Sequence, residues 1–219
     1  MAQVLQTTLK KAVSYEGIGL HAANKVYMIM RPAPANTGIV FVRTDLPGKP
    51  SVPAQLAHVT NTMRATTLEQ GAAKVFTVEH ILSALSGLGV DNCIIEMDSV
   101  EPPVADGSGL SFVNLIEESG IVTLQEPRHV WEVHEQHLVE EGDKFIAIVP
   151  YDGFRITFTS INPHPLLGVQ FMDVDITPER YVKEVAFART IAFTKELEML
   201  KKLGLGKGGT LQNTIVYDD

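Results

Sequence analysis

The segment Thr77-Val-Glu-His-Ile-Leu-Ser-Ala-Leu-Ser-Gly-Leu-Gly89 constrains this chain more than any other. Ile81, Leu82, Ala84, Leu85 and Leu88 recur at helical spacing until Gly87 and Gly89 stop the pattern. Thr77 is the predicted N-cap, since its hydroxyl can accept from an otherwise unpaired first-turn N–H. Strand-type runs flank this helix. Lys25 to Arg31 and Ile39 to Arg43 are short apolar runs bounded by Pro, Gly and Asn. Residues 66–69 and 74–76 read as a hairpin turning at Gln70-Gly71, whose second strand feeds the helix. Asn92 to Met97 is a buried-type strand, and Phe112 to Glu118 a second helix closed by Gly120.

Near Gln125-Glu-Pro-Arg128 the pattern restarts with strands over Trp131 to Glu140, Lys144 to Val149, Arg155 to Ile161 and Val169 to Val174. Thr177-Pro178-Glu179 then marks a helix start: a capping hydroxyl, proline at the first helical position and a carboxylate against the dipole. A further helix is predicted over Lys195 to Leu203, a flexible loop at Gly206-Lys-Gly-Gly209 and a last strand over Thr214 to Tyr217. The predicted fold class is α+β, with two domains over 1–125 and 126–219. The second stops directly after a strand that needs cover, so either a partner chain supplies it or the domain is incomplete here.

With 18 Lys and Arg against 26 Asp and Glu, the net charge of −8 disfavours a nucleic-acid-binding module, which needs a basic stripe for phosphates. It leaves room for a small anionic substrate held by a few placed cations. Cys93 is the single cysteine and cannot form an internal disulfide. No run approaches the roughly 18 apolar residues of a membrane span, and the start lacks the form of a signal peptide, so a cytoplasmic location is expected.

Glu79 and His80 stand side by side at the predicted helix start, as a metal ligand and a neighbouring base would. Two adjacent residues alone favour a plainer reading, since zinc needs three or four ligands: Glu79 complements the helix dipole and His80 is a first-turn polar residue. His134 and His137 are three apart, but on a strand they point to opposite faces. No His-x-x-x-His, His-x-x-x-Asp or Cys-x-x-Cys pattern occurs. Asp106-Gly-Ser-Gly109 and Gly204-Leu-Gly-Lys-Gly-Gly209 lack the features of a phosphate loop and read as turns.

Taken in order, Gly17-Ile-Gly-Leu-His21, Arg31-Pro-Ala-Pro-Ala-Asn-Thr-Gly38, Arg43-Thr-Asp45, the Thr77–Gly89 block, Asp91-Asn92, Asp106-Gly-Ser108, Ala188-Arg-Thr190 and Ile215-Val-Tyr-Asp-Asp219 closely resemble the UDP-3-O-acyl-N-acetylglucosamine deacetylases, zinc enzymes of lipid A synthesis. The resemblance spans essentially the whole chain. It implies a sandwich of helices between antiparallel sheets and hydrolysis of the N-acetyl group of an acylated UDP-N-acetylglucosamine. It assigns His80 as a zinc ligand, Glu79 as the base and Thr190 as a donor to the tetrahedral oxyanion. It also implies an apolar passage for the acyl chain, with Ile191, Phe193, Leu197, Met199, Leu200, Leu203, Leu205 and Leu211 in the matching stretch. From the residues alone, that stretch reads equally well as ordinary core.

The chain also departs from the family pattern. The family's two other zinc ligands, a His and an Asp four positions later, and the His that protonates the leaving amine lie beyond the Val-Asp-Asp-like segment. Asn162-Pro163 and Ile191 replace positions that are commonly aromatic. The expectation is therefore a chain truncated at its C-terminus, with one zinc ligand where catalytic zinc normally takes three, and no appreciable turnover alone. The competing expectation is a non-catalytic, truncated paralogue that keeps the fold and binds a nucleotide-sugar or a protein partner.

Overall fold

A computed structural model describes residues 4–218. The chain begins with β1 (Leu5–Leu9), β2 (Val13–Ile18), β3 (Lys25–Pro32), β4 (Ile39–Arg43), β5 (Ser51–Pro53), β6 (Val59–Asn61), β7 (Thr67–Gln70) and β8 (Ala73–Phe76). Helix α1 (Glu79–Gly87), β9 (Cys93–Met97), α2 (Leu110–Ser119) and β10 (Ile121–Pro127) follow. The main sheet has the order β2-β3-β9-β4-β5, antiparallel throughout except for the parallel pair β4–β9.

Period-two alternation sets the inner face of this sheet. Val26, Met28 and Met30 on β3, with Cys93, Ile95 and Met97 on β9, are all buried. Ile81, Ala84 and Leu85 of α1 and Phe112, Val113 and Ile116 of α2 complete the same core. Each large side chain withdrawn from water there contributes roughly 1.5–3 kcal/mol, so the apolar stripe that made α1 legible is also what docks it.

The predicted hairpin is present as β7–β8, pairing Thr67 with Phe76 and turning through Gly71 at φ +56°. Strand β10 returns antiparallel against β1, from Leu9 opposite Ile121 to Leu5 opposite Pro127. Position 125 therefore lies within a paired strand.

The rest of the chain comprises β11 (His137–Glu141), β12 (Lys144–Ile148), β13 (Arg155–Ile161), β14 (Val169–Asp175), α3 (Pro178–Glu184), β15 (Ile191–Phe193), α4 (Thr194–Lys202) and β16 (Ile215–Tyr217). Hairpins β11–β12 and β13–β14 are antiparallel, whereas β15 and β16 pair in parallel. The fold class is α+β, as predicted.

Two elements depart from expectation. The strand predicted from Trp131 begins only at His137: the residues before it find no ladder partner, and Trp131 is 94% exposed. The loop at Gly206–Gly209, read as flexible, is instead docked on the connection between β2 and β3. Gly208 N–H donates to the Leu20 carbonyl at 2.9 Å, and a Cβ on Gly208 would meet the Gly19 carbonyl oxygen at 2.1 Å. Thr177 caps α3 as predicted, accepting from Arg180 N–H at 3.3 Å, with Pro178 opening the helix.

Helix α3 brings the two halves together. Tyr181 is buried against α1, where its ring occupies the space a side chain on Gly87 would take and its hydroxyl meets Ser83 Oγ at 2.9 Å.

Candidate active site

The first turn of α1 presents Glu79 and His80, both half-buried. Thr77 does not cap this helix. Its backbone is left-handed, at φ +58°, and its hydroxyl donates to Glu101 Oε1 at 2.7 Å, so Val78 takes the cap position without a side-chain bond. Glu101 is fully buried and also accepts the N–H groups of His21, at 3.0 Å, and Ala22, at 2.9 Å. Three donors thus stand in for water around a buried carboxylate, and they fix the chain entering α1.

Glu79 accepts the Thr66 N–H on both oxygens, at 3.2 and 3.3 Å. Thr190 Oγ1 lies 3.3 Å from His80 Nε2. Thr190 is held by its own backbone: its N–H donates to Gly107 O and its carbonyl accepts from Ile215 N–H, both at 2.9 Å. Gly107 is required at that crossing. Its φ is +80°, and a Cβ there would lie 1.7 Å from Asn213 O.

Burial pushes the His80 imidazole below its ordinary range, with the Glu79 and Asp106 carboxylates opposing part of the shift. A neutral ring keeps a lone pair for the Thr190 hydroxyl or for a metal ion. Asp106 would be pushed up by burial. The Ser108 hydroxyl and N–H and the Ser111 hydroxyl outweigh that and hold it below the usual carboxylate range. Beside these groups lies a small cavity of about 160 Å³, lined by Glu79, His80, Ser83, Tyr181, Ala186 and Ala188 among others. A larger cleft of about 510 Å³, between Ile39, Leu85 and Arg128, includes none of Glu79, His80 and Thr190, so size alone does not locate the chemistry.

Glu79, His80 and Thr190 therefore meet, while the expected passage residues stand apart from that cavity. Ile191, Leu203 and Leu211 are exposed, Leu211 to 77%, and Phe193 and Leu200 are half-buried. Helix α4 buries none of its residues, whereas Ala192 of β15 is buried. Tyr181, Ser83 and Asp106 belong to the surroundings of the site, and no sequence pattern marks them as site residues. Asp106 stood in a run read as a turn, and Tyr181 is a single aromatic in a two-turn helix with no pattern to mark it.

Catalytic zinc normally takes three protein ligands. Among the described residues no group of three or more His, Cys, Asp or Glu side chains could hold a metal ion. His80 offers one imidazole, so the described residues by themselves do not fit a complete zinc site.

A carboxylate and an imidazole at a helix start, faced by a hydroxyl from a distant segment, are groups that can move protons and donate to developing charge. The comparisons with known proteins give the family. Residues 6–219 match the model of the family LpxC, UDP-3-O-acyl N-acetylglycosamine deacetylase, and the chain belongs to that family of amide-cleaving enzymes. Proteins named UDP-3-O-acyl-N-acetylglucosamine deacetylase are similar over 99% of this chain. Those of Colwellia psychrerythraea, Acidithiobacillus ferrooxidans and Hahella chejuensis are 45%, 42% and 40% identical, and in each the match covers 72% of the relative. No helix among the described residues is long and apolar enough to cross a membrane.

Proposed function

We propose that this chain carries the base, one metal-binding imidazole and the oxyanion donor of a site that hydrolyses the N-acetyl group of an acylated UDP-N-acetylglucosamine, releasing acetate. The observation that carries the reading is the meeting of Thr190 with His80 beside Glu79. Glu79 accepts a proton from the attacking water. The Thr190 hydroxyl donates to the carbonyl oxygen as it gains charge, a role for which one donor is worth about 10²–10³ in kcat. His80 contributes a single ligand position toward zinc. With one such position, the 219-residue chain by itself is expected to show no appreciable turnover.

The exposed apolar residues Ile191, Leu203 and Leu211, with Phe193 and Leu200, are assigned to the acyl chain. The exposure of Ile191, Leu203 and Leu211, next to a helix α4 that buries none of its own residues, supports this. The same reading divides the chain near position 125 and places the reaction in the cytoplasm, which fractionation of cells would check.

The test is a fusion of residues 1–219 to the part of the Colwellia relative that follows its matched region, assayed for acetate release. Turnover by the fusion, lost in His80→Ala and Glu79→Ala, is the expected result. Undiminished release from the His80→Ala fusion would overturn the assignment.

A further inference from the structure

Residues 62–66, between β6 and β7, are gripped at two points. Arg64 forms a two-pronged ion pair with Glu196 of α4, Nη2 to Oε1 at 2.8 Å and Nη1 to Oε2 at 3.1 Å. Two residues on, the Thr66 N–H holds both oxygens of Glu79. Ala65, between them, is buried. Arg64 has φ +63°, a left-handed conformation that a long side chain adopts only where its surroundings enforce it.

The same α4 segment has a second hold on this loop. His21 Nδ1 accepts the Gly206 N–H at 3.1 Å, which leaves the ring proton on Nε2, facing the Arg64 carbonyl at 3.4 Å. Arg64 is thus engaged by its side chain through Glu196 and by its carbonyl through His21, and both contacts lead to the segment between β15 and β16.

We propose that Arg64 is a positioning residue that couples the α4 segment to the Glu79 carboxylate, so that a ligand seated on the apolar residues between Ile191 and Leu211 sets where the base stands. This rests on the roles given above to Glu79 and to those apolar residues. Arg64 itself touches neither substrate nor reacting atoms. Its side chain is 39% exposed and that of Glu196 23%, so the pair is screened only in part and is sensitive to a shift of α4. An acyl chain that draws α4 away from the loop pulls Arg64, and through the short buried link at Ala65 the Thr66 N–H moves with it.

Amide hydrogen exchange on the 219-residue chain tests the coupling without any need for turnover. Arg64→Met and Glu196→Gln should each speed exchange at Thr66 by about fivefold, the factor a loss of about 1 kcal/mol brings. Val75 in the core should be unaffected, and the reversed pair Arg64→Glu with Glu196→Arg should restore protection. Unchanged exchange at Thr66 in Glu196→Gln, or loss of protection at Thr66 and Val75 alike without rescue by the reversed pair, would overturn the proposal. In the fusion enzyme, Glu196→Gln should lower kcat with KM held, whereas a rise in KM alone would also overturn it. An inactive fusion would count against the functional reading, not against this coupling, which the exchange data decide.

Discussion

Thr190 Oγ1 stands 3.3 Å from His80 Nε2 across 110 residues of chain, and backbone hydrogen bonds hold Thr190 in place for this side-chain contact. The Thr190 N–H is tied to Gly107 at the approach to α2, so the hydroxyl inherits its position from that crossing. Thr190→Val in the fusion enzyme keeps the backbone bonds and removes the donor. It should lower kcat by about 10²-fold with a small change in KM, read by steady-state acetate release. Thr190→Ser should keep most of the activity.

Gly107→Ala attacks the same crossing through geometry. A Cβ at φ +80° and 1.7 Å from Asn213 O fits only if the Thr210–Thr214 segment moves. Strain of this kind costs on the order of 1–3 kcal/mol before any clash. At about 2–4 °C per kcal/mol for a chain of this size, thermal unfolding should show a clear drop in Tm. Gly38→Ala is the control: it has a positive φ but nothing near its Cβ position, so the loss there should be smaller.

How much of this was legible in the sequence depended on whether the cause was local. Helix α1, the β7–β8 hairpin and the Thr177-Pro178 start each follow from neighbours within a few residues, and each is present. Thr77 failed as a cap because Glu101, 24 residues later, takes its hydroxyl. The Gly206–Gly209 loop reads as flexible because nothing in the sequence marks Gly208 as a glycine needed for close approach to Gly19. The Trp131 run was apolar enough for a strand and lacked only a partner to pair with, which no local pattern reveals. At the site, Glu79 and His80 were visible as an ambiguous pair. Thr190 entered only through the family resemblance, since nothing near position 190 points back to position 80.

Glu101→Gln probes the buried carboxylate behind Thr77. One amide oxygen cannot replace two carboxylate oxygens serving His21, Ala22 and Thr77, and the new NH₂ would face donors. A loss of about 1.5–3 kcal/mol is expected from chemical denaturation, the range for hydrogen bonds to a charged group.

Acid should weaken the fold through Asp45 first by its bond to Arg43, whose guanidinium holds the Asp45 carboxyl below the usual carboxylate range. A group depressed in the folded state stabilises it above the ordinary value and loses that contribution as pH falls through the lower, folded value. Asp106 adds to the loss in the same direction. Asp45→Asn should flatten the fall in urea midpoint between about pH 5 and about pH 2. The carboxylate is 30% exposed, so the change should stay under about 1 kcal/mol. An equal slope in the variant would show that the pair carries no pH-dependent stability.

Cys93 offers a readout of the whole core. It lies on β9, between β3 and β4, with no exposed surface, and burial pushes its thiol up to about 12. A disulfide-exchange reagent is attacked by the Cys93 thiolate, which is nearly absent at neutral pH in such a site, and it also needs access that the central strand denies. Labelling of the folded chain should therefore wait for opening of the main sheet. Its rate should rise with urea in step with unfolding followed by circular dichroism. Gly107→Ala and Glu101→Gln should accelerate it in proportion to their loss of stability when reclosing outpaces labelling. Prompt labelling in native buffer, independent of urea, would mean that β9 is open at its Cys93 end and that the packing of α1 and α2 on this sheet is looser than described.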